Sequence, residues 1–231
     1  MAKGLSGTKL KSRKAQNIVE DILEISGDYG PEAVFCDWVE MMAIAIQNAC
    51  SIHNATWESR EQMYLRVMKK YPGHEERFSQ MTALFVECME ECMDDYLGQI
   101  YMAAGAGNKH TGQFFTPFNL SELTASISVT TVADDDEPIR VNEPTCGAGG
   151  MIIATAKELQ KQGVDWQNRM KVTCQDLSWN SVYMCYVQLS ILGIDAVVAQ
   201  GDTLTEPYKE PWPAERVFRT PKHMGVLRSW T

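Results

Sequence analysis

The chain lacks a long hydrophobic run. No apolar stretch in its 231 residues approaches the roughly 20 residues that a membrane-spanning helix requires, so no membrane partner is expected. The N-terminus, Met1-Ala2-Lys3-Gly4-Leu5-Ser6-Gly7, has no apolar signal region, which points to a cytoplasmic address. Cysteine is too sparse for a secreted disulfide scaffold. The seven cysteines, at 36, 50, 88, 92, 146, 174 and 185, sit mostly within apolar helix or strand patterns. Cys88 and Cys92 are four apart on an expected helix, but no Cys or His pair stands near them at zinc-ligand spacing, so they read as core and no metal is expected. Positive charge is also in deficit. A net charge of −9 excludes a protein that binds nucleic acid over its whole surface. The exception is the front of the chain, where Lys3, Lys9, Lys11, Arg13 and Lys14 precede the first acid, Glu20. Residues 1–14 read as a basic, flexible arm, either solubilising or in contact with phosphates.

What is present divides into two halves. From 15 to about 104 the apolar pattern is helical. Ile18, Ile22 and Ile25 lie at helical spacing and stop at Gly27. Pro31 opens a second helix with a wide apolar face, Val34, Phe35, Trp38, Val39, Met42 and Ile46. A third helix is expected from about Trp57 to Lys70, and a long fourth from Glu75 to about Met102, weakened near Gly98. The methionines and aromatics read as core. His53 and His74 lie near turns without a catalytic partner, and nothing in this half suggests chemistry. Ala103 to Asn108 is small and flexible and marks the expected domain boundary, with a second domain over 105–231.

The second half alternates strand and helix. Pro138 to Val141 reads as a strand, Asn142 to Met151 as a glycine-rich turn, and Ile152 to Gln160 as a helix. Glycine permits the sharp turn and the close approach of a ligand, and the helix start offers free N–H groups. Met170 to Gln175 reads as a second strand ending at Asp176, and Asn180 to Leu192 as a helix closed by Gly193. Asp195 to Gln200 reads as a third strand, ending at Gly201-Asp202. This order implies a parallel sheet, which binds ligands at the carboxyl ends of its strands. Gly147, Asp176 and Asp202 all fall at such ends. An acid after the second strand suits ribose hydroxyls, and an acid after the third suits an exocyclic amine. The set fits a nucleoside-containing cofactor.

These residues carry a family resemblance. Gly112-Gln113-Phe114-Phe115-Thr116-Pro117 is similar to motif X of the adenine-N6 DNA methyltransferases, in the branch that includes modification subunits of type I restriction systems. Glu143-Pro144-Thr145-Cys146-Gly147-Ala148-Gly149-Gly150 resembles that branch's motif I, in which Asp usually stands where this chain has Glu143. Gln175-Asp176-Leu177 resembles motif II, and Gly201-Asp202-Thr203-Leu204 motif III. The resemblance covers roughly residues 14 to 205. It implies a Rossmann-like methyltransferase half-sheet, α/β in class, preceded by an all-helical domain. It also implies a site for S-adenosyl-L-methionine. In that site Phe115, Thr116 and Pro117 would lie at the methionine end. Glu143, Pro144, Cys146, Gly147 and Gly149 would form the turn beneath it. Asp176 would take the ribose and Asp202 the adenine amine, with Leu177 and Leu204 on the two ring faces.

The family continues into a fourth strand and an Asn/Asp-Pro-Pro-Tyr/Phe motif that holds the flipped target adenine. These 231 residues contain no such motif, and no catalytic residue is assigned. The nearest candidate, Val217 to Lys222, has one proline and reads as a short strand. In the family fold the fourth strand lies beside the first. The expectation is therefore that the 214–221 segment, the motif X helix or a second subunit covers the first strand's open edge. Two functions follow, beside a third reading in which the chain is a remnant that no longer binds the cofactor. One is an adenine-N6 DNA methyltransferase with DNA as substrate. The other is a cofactor-binding regulatory or partner subunit, paired with itself or with a methyltransferase or restriction subunit. The basic tail Arg216, Arg219, Lys222 and Arg228 reads as a solvated face or a phosphate contact.

Overall fold

The computed structural model describes residues 10–52, 54–105, 115–132 and 137–226. Among these residues six helices precede the sheet: α1 Arg13–Ile25, α2 Pro31–Cys50, α3 Trp57–Met68, α4 Glu75–Glu91, α5 Tyr96–Ala103 and α6 Phe118–Ser128. β1 Ile139–Glu143, α7 Gly150–Lys161, a short α8 Trp166–Arg169, β2 Met170–Asp176, α9 Trp179–Ile191, β3 Asp195–Gln200 and β4 Val217–Arg219 follow. The fold class is the expected one, mixed α/β with helices ahead of a sheet.

α1 takes in Arg13 and Lys14. Ser12 caps it by accepting from the Ala15 N–H, and Lys14 pairs with Glu87 and Glu91 of α4. Those two basic residues therefore belong to the helical body; Lys3 and Lys9 lie outside the described residues, as do His53, the hinge residues 106–108 and motif X residues 112–114.

The long helix expected over 75–102 is two helices. α4 stops at Glu91, Cys92 turns to extended backbone, and Asp95 caps α5 by accepting from the Gly98 N–H at 3.0 Å. Gly98 makes that cap possible: a Cβ there would fall 2.8 Å from the Asp95 Cγ. What reads as a weak point inside one helix is the space for the cap of the next.

The sheet order is β1-β2-β3-β4. β1, β2 and β3 are parallel, with Val141 beside Val172 and Val172 beside Ala196. β4 is antiparallel to β3, with Phe218 opposite Val198. The expectation that 214–221 covers the edge of β1 is therefore overturned, because that segment closes the opposite edge. Thr220 explains the choice. Its buried hydroxyl donates to the Ile194 carbonyl at 2.7 Å and accepts from the Ala196 N–H at 3.0 Å, which ties the end of β4 to the start of β3. α6, the helix after motif X, packs on α7. Among the described residues no strand pairs with the outer edge of β1.

Alternation along the strands separates two faces. Val172, Cys174, Ala196, Val198 and Phe218 face α9, whose Tyr183 and Tyr186 rings lie 5.5 and 5.0 Å from that of Phe218. Arg140, Lys171, Thr173 and Asp195 alternate with them and line a groove on the other face with His223. α9 is apolar nearly all round because it is buried between the sheet and α2. One cluster of buried hydrophobic residues runs from Leu10 to Phe218, through both halves of the chain.

Candidate functional site

The carboxyl ends of β1, β2 and β3 meet at one place, and the turns that leave them are hydrogen-bonded to one another. β1 ends at Glu143, whose carboxylate accepts from the Thr145 N–H at 3.3 Å. The chain then crosses over β2: the Cys146 N–H donates to the Gln175 carbonyl at 3.0 Å. Gly147 and Gly149 adopt φ of +52° and +93°, in the left-handed region that a side chain disfavours. Space matters as well as conformation. A Cβ on Gly147 would meet the Phe115 ring at 3.2 Å, and one on Gly149 would meet the Cys185 sulfur at 3.2 Å. Gly149 then caps α7.

Asp176 joins two of the turns. One carboxylate oxygen accepts from the Gly147 N–H at 2.9 Å and the other from the Ser178 N–H at 2.9 Å. Its carbonyl accepts from the Gly201 N–H at 2.9 Å, which ties in the turn after β3. Asp202 caps its own turn, accepting from the Leu204 N–H at 3.0 Å. Thr203 donates to the Pro144 carbonyl at 2.6 Å, linking the third turn back to the first. Leu177 and Leu204 stand out from these turns, 67% and 94% exposed. Each follows one of the two carboxylates, Leu177 directly after Asp176 and Leu204 two residues after Asp202.

The twelve residues picked out by sequence take three kinds of position. Phe115 packs edge-on against Tyr101 at 5.3 Å and covers the glycine turn. Thr116 and Pro117 are exposed and lead into α6. Glu143, Pro144, Gly147, Gly149, Asp176, Leu177, Asp202 and Leu204 lie at the three strand ends as described. Cys146 differs in direction. Its thiol is buried with those of Cys174 and Cys185, all three sulfurs within 4.8 Å of one another. It shapes the turn from below.

Three supporting residues escape a reading by sequence. Gln188 of α9 is buried and donates to the Ala148 carbonyl at 2.7 Å and to the Asp95 carboxylate at 2.8 Å. Asp95 is thus both the cap of α5 and an anchor of the glycine turn. Burial pushes its carboxyl up to about 6, against hydrogen bonds from Gln188 and Gly98 that pull it down. Gln175 holds the 206–208 segment, donating to the Glu206 carbonyl and accepting from the Tyr208 N–H, each at 2.8 Å. The signal for Gln188 is a long polar side chain among the apolar residues of a largely apolar helix. Gln175 lies within a noted motif but its partner is 31 residues away.

The N-6 DNA methylase family model matches residues 92–224, more than half of the chain. No curated protein matches the sequence. Similar solved structures include a class I S-adenosylmethionine-dependent methyltransferase from Listeria monocytogenes, at 12% identity over 83% of this chain with a TM-score of 0.49. A type I restriction-modification methyltransferase subunit from Streptococcus thermophilus matches at 12% identity over 87%, with a TM-score of 0.42. The ATP-dependent type ISP restriction-modification enzyme LlaBIII, bound to DNA, matches at 10% over 89%, with a TM-score of 0.43. The chain spans 54%, 59% and 17% of these structures' own lengths.

Proposed function

Since the chain belongs to the N-6 DNA methylase family, we propose that its three strand ends form the S-adenosylmethionine site of an adenine-N6 DNA modification system. The observation that carries the reading is Asp176, which binds the Gly147 and Ser178 N–H groups and still has lone pairs directed away from both. A carboxylate fixed in this way accepts hydrogen bonds from vicinal ribose hydroxyls without reorganising. The chain's own residues fit the rest of the cofactor. Gly147 and Gly149 leave room where side chains would intrude, Leu177 and Leu204 offer apolar surface to a flat base, and Asp202 stands beside Leu204 to accept from its amine. Thr116 and Pro117 border the methionine end. Glu143 keeps the negative charge usual at the end of the first strand, one methylene further out, and holds the turn through Thr145.

When bound, the cofactor supplies an electrophilic methyl group. The residues described position it and shield its base from water. The part that holds a flipped adenine is the Asn/Asp-Pro-Pro-aromatic motif, which these 231 residues do not contain. We therefore assign methyl transfer to an assembly in which polypeptide beyond these residues supplies that motif, with DNA as substrate. A regulatory subunit that binds the cofactor without transferring its methyl is the second reading, and it rests on the same sequence fact. Incubation with methyl-labelled S-adenosylmethionine and adenine-containing DNA separates them. The first reading predicts label in DNA only when polypeptide carrying the motif is also present; label with this chain alone would refute the assignment of the acceptor to other polypeptide, and no label in either case would favour the regulatory reading. Failure of the chain to bind the cofactor at all would refute both.

A further inference from the structure

Beyond shaping the glycine turn from below, the three buried thiols take no part in the cofactor site proposed above. Cys146 comes from the turn after β1, Cys174 from the middle of β2 and Cys185 from the middle of α9. They are separated by 28 and 11 positions in sequence, from 146 to 174 and from 174 to 185, yet their sulfurs lie within 4.8 Å of one another. All three side chains are buried. A point therefore exists within about 2.8 Å of every sulfur, and a thiolate–zinc bond is about 2.3 Å, so a few tenths of an ångström of contraction per side chain completes a trigonal site. Among the described residues no imidazole or carboxylate joins the group. A donor set made only of thiols selects soft cations over hard ones.

We propose that Cys146, Cys174 and Cys185 form a three-thiolate site for a soft d10 cation such as Cu(I) or Cd(II), beneath the turn that the cofactor would occupy. Each thiol that coordinates releases its proton to solvent, so binding liberates protons and weakens as pH falls. The cation would link the glycine turn, the central strand and the buried helix through three bonds. It would hold Cys146, and with it the Gly147 N–H, in place. The inference does not depend on what occupies the cofactor site.

Cadmium is the probe. Titration of the full, reduced chain with Cd2+ is expected to produce the ultraviolet thiolate-to-cadmium charge-transfer band, saturating at one ion per chain. Cys185→Ala and Cys174→Ala abolish the band, while Cys50→Ser and Cys92→Ser, at cysteines outside the group, leave it unchanged. A band that survives in a folded Cys174→Ala chain, or one that is lost in Cys92→Ser, overturns the proposal. A second measurement needs no substitution. Alkylation of the native chain, followed by peptide masses, is expected to show Cys146, Cys174 and Cys185 labelled at least tenfold more slowly with Cd2+ than without, and Cys92 unaffected. Equal rates with and without cadmium mean that the three thiols are packing alone.

Discussion

Gly147 concentrates the demands of the site in one residue. Its φ of +52° and the Phe115 ring 3.2 Å from its absent Cβ penalise any side chain twice. Gly147→Ala is expected to cost about 1–2 kcal/mol of stability from the backbone alone. It should also weaken S-adenosylmethionine binding at least tenfold, measured by denaturant unfolding and calorimetry on the same preparation. Asp95 makes a prediction in pH. Its folded pKa, about 6, stands above the ordinary 3.8. The proton is therefore held more tightly in the folded chain. That stabilisation is complete below about 4 and is lost as pH rises through 6, a change on the order of 3 kcal/mol. Asp95→Asn keeps the oxygen that accepts from Gly98 and Gln188 and removes the charge. The difference in unfolding free energy between the variant and the wild type should accordingly grow in the variant's favour from pH 4 to 8. A constant difference over that range would show that Asp95 does not titrate as described. The glycines and aspartates of the turns were legible in the sequence because their constraints are local: a turn needs glycine where it is left-handed, and a strand end displays its next acid. Gln188 and Asp95 were not, since their meaning lies in a bond between residues 93 positions apart.

At the scale of elements, periodicity located most helices and all three parallel strands, whose ends are marked by Gly, Pro and Asp. It missed the break between α4 and α5, because apolar spacing continues across residues 92–95 while Asp95 starts a new helix. It also missed the partner of β4. A three-residue strand carries no sign of which edge it joins, and here one hydroxyl decides. Thr220→Val keeps shape and removes that hydroxyl, leaving the Ala196 N–H without its side-chain acceptor. It should cost about 2 kcal/mol in equilibrium unfolding. A change below a few tenths would mean that β4 is held by Phe218 packing instead. Gly98→Ala tests the cap in the same way: the added Cβ displaces the Asp95 carboxylate, and both the cap of α5 and the bond from Gln188 are lost together, a destabilisation read in the same unfolding experiment.

In the whole molecule, the helical and sheet halves divided by sequence share one core. α2 packs on α9, and α5 meets Gln188 through the Leu97 N–H at 3.1 Å. No helix among the described residues is long and apolar enough to cross a membrane. A shared core predicts a single cooperative transition, with far-ultraviolet circular dichroism and tryptophan fluorescence coincident in denaturant; Trp38 reports on the helical half and Trp179 on the sheet half. Two separated transitions would show that the halves fold independently and that the contacts between them are weak.

The measurement that bears most directly on the proposed cofactor site is a calorimetric isotherm of S-adenosylmethionine on the wild-type chain and on Asp176→Ala. The Asp176 carboxylate joins the glycine turn to the second strand's turn, and its remaining lone pairs are the ones proposed to accept from the ribose. One site per wild-type chain is expected, with a loss of at least about tenfold in affinity in a folded Asp176→Ala chain, since two charge-assisted acceptors are removed. Equal affinity in the two chains, or no heat with the wild type, would contradict the proposed site.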